Sequence, residues 1–164
     1  MQIRDINEAD APAFRAALAA VAAEGRFLAT VEAPELASTT AFIRDNIARG
    51  NPHVVGLLAN ELIGWADIKA KQRTGFGHVG VLGMGLLYEQ RGKGHGAALL
   101  AAALERAWAV GFEKVELDVY TDNQAAVALY RRFGFFDEGL RRRARKYHGA
   151  YQDLLLMGLF APEN

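Results

Sequence analysis

Apolar and polar positions along the chain follow two periods, and the switches between them predict the elements. Residues 2–5 read as a short strand, and Asn7 as the cap of a helix that passes Asp10-Ala11-Pro12 and runs to about Glu24, where Gly25 stops it. Residues 26–36 read as a loop, with Pro34 blocking regular structure. Ser38-Thr39-Thr40 predict the cap of a second helix, with Phe42, Ile43 and Ile47 on one face and Gly50 at its end. Pro52 opens a strand over 53–59, Asn60-Glu61 form a tight turn, and 62–70 return as an antiparallel partner. After a polar link at 72–77, a fourth strand is predicted over 78–87 and an alanine- and leucine-rich helix over 97–110. Residues 114–120 alternate cleanly: Val115, Leu117 and Val119 face one way, Glu116, Asp118 and Tyr120 the other. A helix over 123–133 spaces Ala126, Leu129 and Tyr130 helically and closes at Gly134, and 135–146 with 151–160 form a hairpin around His148-Gly149.

The long helix between the fourth and fifth strands makes a βαβ unit, so that pair should be parallel and the hairpin-linked strands antiparallel. The expected fold class is a mixed α/β (α+β) single domain over residues 1–164, a mostly antiparallel sheet flanked by about four helices. Its 164 residues are enough for a core without metals or disulfides.

Half of the residues are hydrophobic (51%), yet no uninterrupted apolar stretch would span a bilayer, and Met1-Gln2-Ile3-Arg4-Asp5 carries charge where a signal peptide needs apolar residues. No membrane partner is expected, and the location is expected to be cytoplasmic. Cysteine is absent, which excludes thiol catalysis and thiolate-bound metals. The four histidines show no metal spacing, so no metal is expected. Formal charge is zero. The basic run Arg141 to Lys146 reads as a solvated strand edge, and its sparse aromatics predict no nucleic-acid partner.

The most informative segment is Gln90-Arg91-Gly92-Lys93-Gly94-His95-Gly96, between the fourth strand and the long helix. Glycine-rich backbone at a helix N-terminus is an anion site suited to a pyrophosphate. A nucleotide-binding P-loop would need Gly at 87 and Ser or Thr at 94, where the chain has Leu87 and Gly94. Gly92-x-Gly94-x-x-Ala97 formally fits a dinucleotide fingerprint, with Asp118 near the end of the next strand. That motif sits mid-chain with one βαβ unit in all, too little for a two-halved parallel sheet.

Two motifs carry a resemblance. Arg91-x-x-Gly94-x-Gly96 and Asn123-x-x-Ala126-x-x-Leu129-Tyr130-x-x-x-Gly134-Phe135 resemble signatures of the GNAT N-acetyltransferase superfamily, whose element order the chain also follows. The ending, Gly139-Leu140-Arg141-Arg142 with Gly149-Ala150-Tyr151-Gln152-Asp153, is similar to a bacterial subgroup acting on amino acids or other small molecules.

The resemblance implies an acetyl-CoA-dependent enzyme transferring an acetyl group to a small-molecule primary amine by direct attack in a ternary complex, without metal. It leaves open a ribosomal-protein-type N-terminal acetyltransferase and a non-catalytic acetyl-CoA sensor, and it allows a homodimer through the basic hairpin. Implied cofactor contacts are Arg91, Gly92, Lys93, Gly94, His95 and Gly96 at the pyrophosphate, Arg91 or Lys93 meeting a further phosphate. Met84, Gly85 and Leu86 would meet the pantetheine arm, together with Asn123 and Tyr130. A bulge at the strand-four glycines is expected to splay strands four and five apart. Tyr130 would protonate the departing thiolate. Many relatives carry a base Glu on strand four, and this strand has no carboxylate. The candidates for base are Asp118, where N-terminal acetyltransferases of the superfamily place a Glu, and His78. Glu24 and Glu32 fall in the loop region that covers the acceptor pocket in the family.

Overall fold

The strand pattern produces one seven-stranded sheet in the order β1-β2-β3-β4-β5-β7-β6. The strands are β1 (Gln2–Asp5), β2 (His53–Leu58), β3 (Glu61–Ala70), β4 (Val79–Leu86), β5 (Lys114–Tyr120), β6 (Phe136–Tyr147) and β7 (Ala150–Phe160). The structure is a computed structural model and describes residues 1–163. Every neighbouring pair is antiparallel except β4–β5, as the βαβ connection requires.

Four helices cover the sheet: α1 (Ala11–Ala23) and α2 (Leu36–Ala48) on one face, α3 (His95–Ala109) and α4 (Gln124–Arg132) on the other. On the first face Phe14 and Ile43 meet Val55 and Trp65. On the second, Leu99, Leu100 and Ala103 meet Val54, Ala66 and Ile68, all fully buried. Each such leucine or isoleucine contributes about 1.5–3 kcal/mol of burial free energy. β3 is the central strand, buried from Leu62 to Ile68. The outermost strand, β6, is exposed over most of its length and carries the arginines that shield its edge.

Several elements differ from the sequence reading. The first helix is two pieces, a 3₁₀ turn at Glu8–Asp10 and then α1. Helix α2 starts at Leu36, ahead of the expected Ser-Thr-Thr cap, because Thr39 and Thr40 turn their hydroxyls back onto the carbonyls of Glu35 and Leu36. Its buried face is Thr39, Ile43 and Asn46, and Ile47 is exposed. The β2–β3 turn is centred on Ala59 and Asn60, one residue early. Helix α3 begins at His95, which makes Gly94 its cap.

The expected bulge in β4 is absent: β3 and β4 stay in unbroken register from Gly64–Leu86 to Ala70–Gly80. The strands part for another reason. β4 and β5 pair only at Val79–Lys114, Gly80–Val115 and Val81–Glu116. Beyond that point β4 follows β3 to Leu86 and β5 follows β7 to Tyr120, so the sheet opens between them. The glycines of β4 serve packing instead. A Cβ at Gly85 would penetrate the Trp65 ring, which Phe14 holds edge-on at 5.4 Å.

Candidate active site

The glycine run forms the turn that starts α3. Gly92 and Gly94 take φ of 73° and 83°, left-handed backbone that disfavours a side chain. No acceptor within the described residues meets the N–H groups of Gly92, Lys93, Gly94, His95, Gly96 or Ala97; the first helical bond is from Ala98 to Gly94. These donors converge at the positive end of a 15-residue helix, an arrangement complementary to a pyrophosphate.

The arginine of the motif is committed elsewhere. Arg91 donates from Nε and Nη2 to the Leu86 carbonyl and grips both Glu24 oxygens at 2.6 and 2.8 Å. Its guanidinium therefore bolts the end of α1 to the end of β4 and is not the free phosphate ligand the sequence suggested; Glu24 likewise is not an open acceptor-side charge. Lys93 is exposed and His95 half-buried; neither lines the cavity described next.

A cavity of about 950 Å³ begins at Arg91, Gly92, Gly94 and Gly96, passes through the opening between β4 and β5, and ends against Val21, Phe27, Leu28 and Ala29. Its walls are Leu82–Leu86 of β4 and Leu117–Tyr120 of β5, the stretches that no longer pair with each other. Leu87 donates its N–H to Ile63 on β3. By strand alternation the N–H groups of Leu86, Met84 and Leu82 point the other way, into the opening. They are free donors for an extended amide ligand or a developing oxyanion.

Helix α4 supplies Asn123 and Tyr130 to the same cavity. The Asn123 Oδ1 accepts from the Ala126 N–H at 3.3 Å, closing the helix start. Tyr130 packs on Phe135 with ring centroids 5.7 Å apart, and its hydroxyl has no partner among the described residues. Burial pushes its phenol well above the ordinary tyrosine range, so it is a proton donor at neutral pH.

The two expected bases part company. Asp118 lines the cavity, and its Oδ2 accepts from Arg141 Nη1 at 2.9 Å. His78 is exposed at the closed end of the β4–β5 pair, where its carbonyl accepts from Glu113 and Lys114. At a strand rise of about 3.3 Å per residue it lies roughly 20 Å along the chain from Met84, and it does not reach the cavity.

The sequence reading missed Asp67, a carboxylate inside the buried centre of β3 and only 5% exposed. The one available signal was an acid in the apolar run Leu62 to Ile68. Its cross-strand neighbours are His53 on β2 and Gly83 on β4. Burial pushes Asp67 up to about 7, against a smaller opposing effect of Lys69. Burial also pushes His53 down to about 4, with Asp10 raising and Lys69 lowering it further. Asn46 donates to His53 Nδ1 at 3.2 Å when that nitrogen is the unprotonated one.

These two shifts act oppositely on stability. Asp67 binds its proton more tightly when folded, so its contribution is full below the ordinary 3.8 and fades as pH rises through about 7. His53 is held neutral, so its contribution is full above 6.5 and fades as pH falls toward about 4. Asp67→Asn should therefore melt higher than the parent above pH 7, and its Tm should fall more steeply between pH 6.5 and 4. Parallel Tm–pH curves for the two proteins would contradict this coupling.

Residues 13–135 match the model of the Acetyltransferase (GNAT) family. The chain is 38% identical over 110 residues to the N-alpha-acetyltransferase RimI of Mycobacterium tuberculosis, covering 67% of this chain and 68% of that one. It is 29% identical over 159 residues to the L-methionine sulfoximine/L-methionine sulfone acetyltransferase of Pseudomonas aeruginosa, covering 96% and 92%. The solved phosphinothricin acetyltransferase of Sinorhizobium meliloti, in complex with AcCoA, superposes with a TM-score of 0.92 at 27% identity, over 97% of this chain and 87% of that one. With a split sheet, a helix N-terminus of free donors and both sequence signatures lining one cavity, the chain belongs to the GNAT acetyltransferase family.

Proposed function

We propose that residues 1–164 act as one acetyl-CoA-dependent N-acetyltransferase whose acceptor is the primary amine of a small molecule. The observation that carries this reading is the continuous cavity joining the free N–H groups of the α3 turn to the unpaired edge of β4 beside the Tyr130 phenol. The residues fit acetyl-CoA as co-substrate, with Gly92 to Gly96 receiving the pyrophosphate. Met84 and Leu86 complete hydrogen bonds with the pantetheine amides as a missing strand would, while Gly85 between them faces Trp65 of β3 and lines the arm without bonding it. Acetyl-CoA supplies the activated acyl carbon.

Three demands of acyl transfer fall to the chain. The N–H of Met84 or Leu86 stabilises the developing oxyanion. Tyr130 donates its proton to the thiolate; a thiol's ordinary pKa, ~8.5, lies below that of tyrosine, ~10, so the phenolate is reprotonated from solvent. The ammonium of the acceptor, with an ordinary pKa of about 10, loses a proton before nitrogen attacks the carbonyl carbon. Asp118 lies on the cavity wall as an acceptor-side carboxylate.

A small amine is favoured over a protein N-terminus because the match to the amino-acid-analogue enzyme spans 96% of the chain, including the acceptor-side segments, whereas the RimI match spans 67%. The presence of Tyr130 argues against a non-catalytic sensor. Acetyl-CoA at a hundred times its Kd should stabilise the protein by about 2.7 kcal/mol in thermal denaturation, and NAD should not. A panel of amino acids, amino-acid analogues and short peptides, followed by free-thiol release, identifies the acceptor class. Stabilisation by NAD alone would end this reading.

A further inference from the structure

We propose that Asp67 of β3 is the residue that takes the proton from the acceptor amine, reached through the notch that Gly83 leaves in β4. This rests on the acetyltransferase reading and supplies the base that β4 itself lacks, since Val79–Leu86 contains no carboxylate.

Four observations converge. Asp67 and Gly83 are direct cross-strand partners, so their side-chain positions share one face of the sheet. A Cβ at residue 83 would lie 3.2 Å from Asp67 Oδ1, and Gly83 lines the cavity while Asp67 sits behind it, outside the lining residues. The Asp67 carboxylate receives no hydrogen bond from the described residues, and no cation among them stands within ion-pair distance. A nearly buried carboxylate left without donors is costly, and such groups concentrate where a ligand completes them.

The face is also the correct one. Gly85, two residues along, packs on Trp65, which belongs to the cluster under α1. The cavity ends on that side against Val21, Phe27 and Leu28, whereas the phosphate donors lie at the start of α3 on the opposite face. Gly83, the cross-strand partner of Asp67, adjoins Met84 on the cavity wall, so an amine reaching a carbonyl held at Met84 from the α1 side comes alongside the notch in front of Asp67. The two carboxylates that line the cavity are already engaged: Asp118 accepts from Arg141 and Asp122 from Gln152.

The charged and titratable groups around Asp67 leave it free. Lys69, on the same strand, lies over the Phe42 ring of α2 with its Nζ 5.0 Å from the centroid. His53 of β2 is wedged edge-on against Phe14 and Phe42, and Asp10 is held by Arg4. α2 offers Asn46, which is engaged with His53. Burial, the main influence on Asp67, raises it to about 7, so a substantial ionised fraction is present at neutral pH.

In the step itself the ammonium gives one proton to Asp67 Oδ, leaving a neutral amine and a carboxylic acid. The nitrogen lone pair then forms the C–N bond, the C–S bond breaks, and Tyr130 protonates the sulfur. The nitrogen releases its second proton to solvent, from which Tyr130 is restored, and Asp67 returns its own to solvent. The sum is amide, free thiol and one proton.

The test is kcat/KM against pH for the parent, Asp67→Asn and Asp118→Asn, with acetyl-CoA thermal shifts alongside. The parent should lose activity below about pH 7. Asp67→Asn should fall about 100-fold at pH 7.5 and lose that limb while keeping the acetyl-CoA shift, and Asp118→Asn should retain the limb. If Asp67→Asn does not fold, Gly83→Ala closes the notch without changing charge, and the expected outcome is the same loss of kcat with the acetyl-CoA shift kept. A limb that survives in Asp67→Asn, or vanishes in Asp118→Asn instead, overturns the assignment, as does unchanged kcat in Gly83→Ala. A parent that binds acetyl-CoA yet acetylates no amine overturns the acetyltransferase reading, and the role of Asp67 with it.

Discussion

Tyr130→Phe should lower kcat about 100-fold while leaving the acetyl-CoA thermal shift essentially unchanged. The phenylalanine ring keeps the packing on Phe135 and the place in the core cluster. The lost hydroxyl has no partner among the described residues, so its removal strands no donor or acceptor inside the protein, and folding should be unaffected. What disappears is a proton held ready at neutral pH, because burial opposes the phenolate. Leaving-group protonation acts on the transition state and not on ground-state binding, so the effect belongs in kcat. Unchanged turnover in the phenylalanine variant would remove Tyr130 from the chemistry.

Gly94→Val should abolish acetyl-CoA binding in a protein that still folds, with Kd raised more than about 100-fold. A Cβ at position 94 would meet nothing among the described residues within 4 Å, so no collision with them would unfold the domain. The cost is local. Residue 94 has φ 83° and caps α3 in left-handed geometry, which a β-branched side chain resists by about 1–2 kcal/mol or more. The isopropyl group would also occupy the space in front of the free N–H groups from Gly92 to Ala97. Circular dichroism checks the fold and thermal shift checks the ligand. Normal acetyl-CoA affinity in the folded variant would mean that the phosphates bind elsewhere.

The elements most visible in the sequence were those with a strict period or a glycine stop. β5 coincides with its alternating run, and the parallel β4–β5 pair followed from a single crossover. Local capping rules failed at α2 because Thr39 is buried and bonds backward, a tertiary preference that outweighs the capping tendency of Ser and Thr. The bulge inferred from Gly83 and Gly85 failed because a glycine in a strand also accommodates a bulky cross-strand neighbour, here Asp67 and Trp65.

Within the site, the turn that starts α3 was legible since its glycines fall at alternate positions, 92, 94 and 96, and its shape is carried by backbone. The fates of Arg91, Asp118 and Asp67 were not. Each depends on a partner from a distant element: Glu24 at the end of α1, Arg141 on β6, Gly83 across the β3–β4 register. Asp67 was further hidden because β3 is covered on both faces, which erases the alternation that would mark an inward-pointing acid.

The Arg91–Glu24 clasp bears on any attempt to re-engineer acceptor choice. Glu24 directly precedes the segment that contributes Phe27, Leu28 and Ala29 to the α1 end of the cavity, and its other side is tied to the turn that opens α3. A loop transplanted from a relative with its junction after residue 24 inherits the clasp. One joined upstream must bring its own acid, or the graft would loosen the glycine turn along with the pocket it was meant to reshape. The boundary for exchanging specificity thus falls between Glu24 and Gly25.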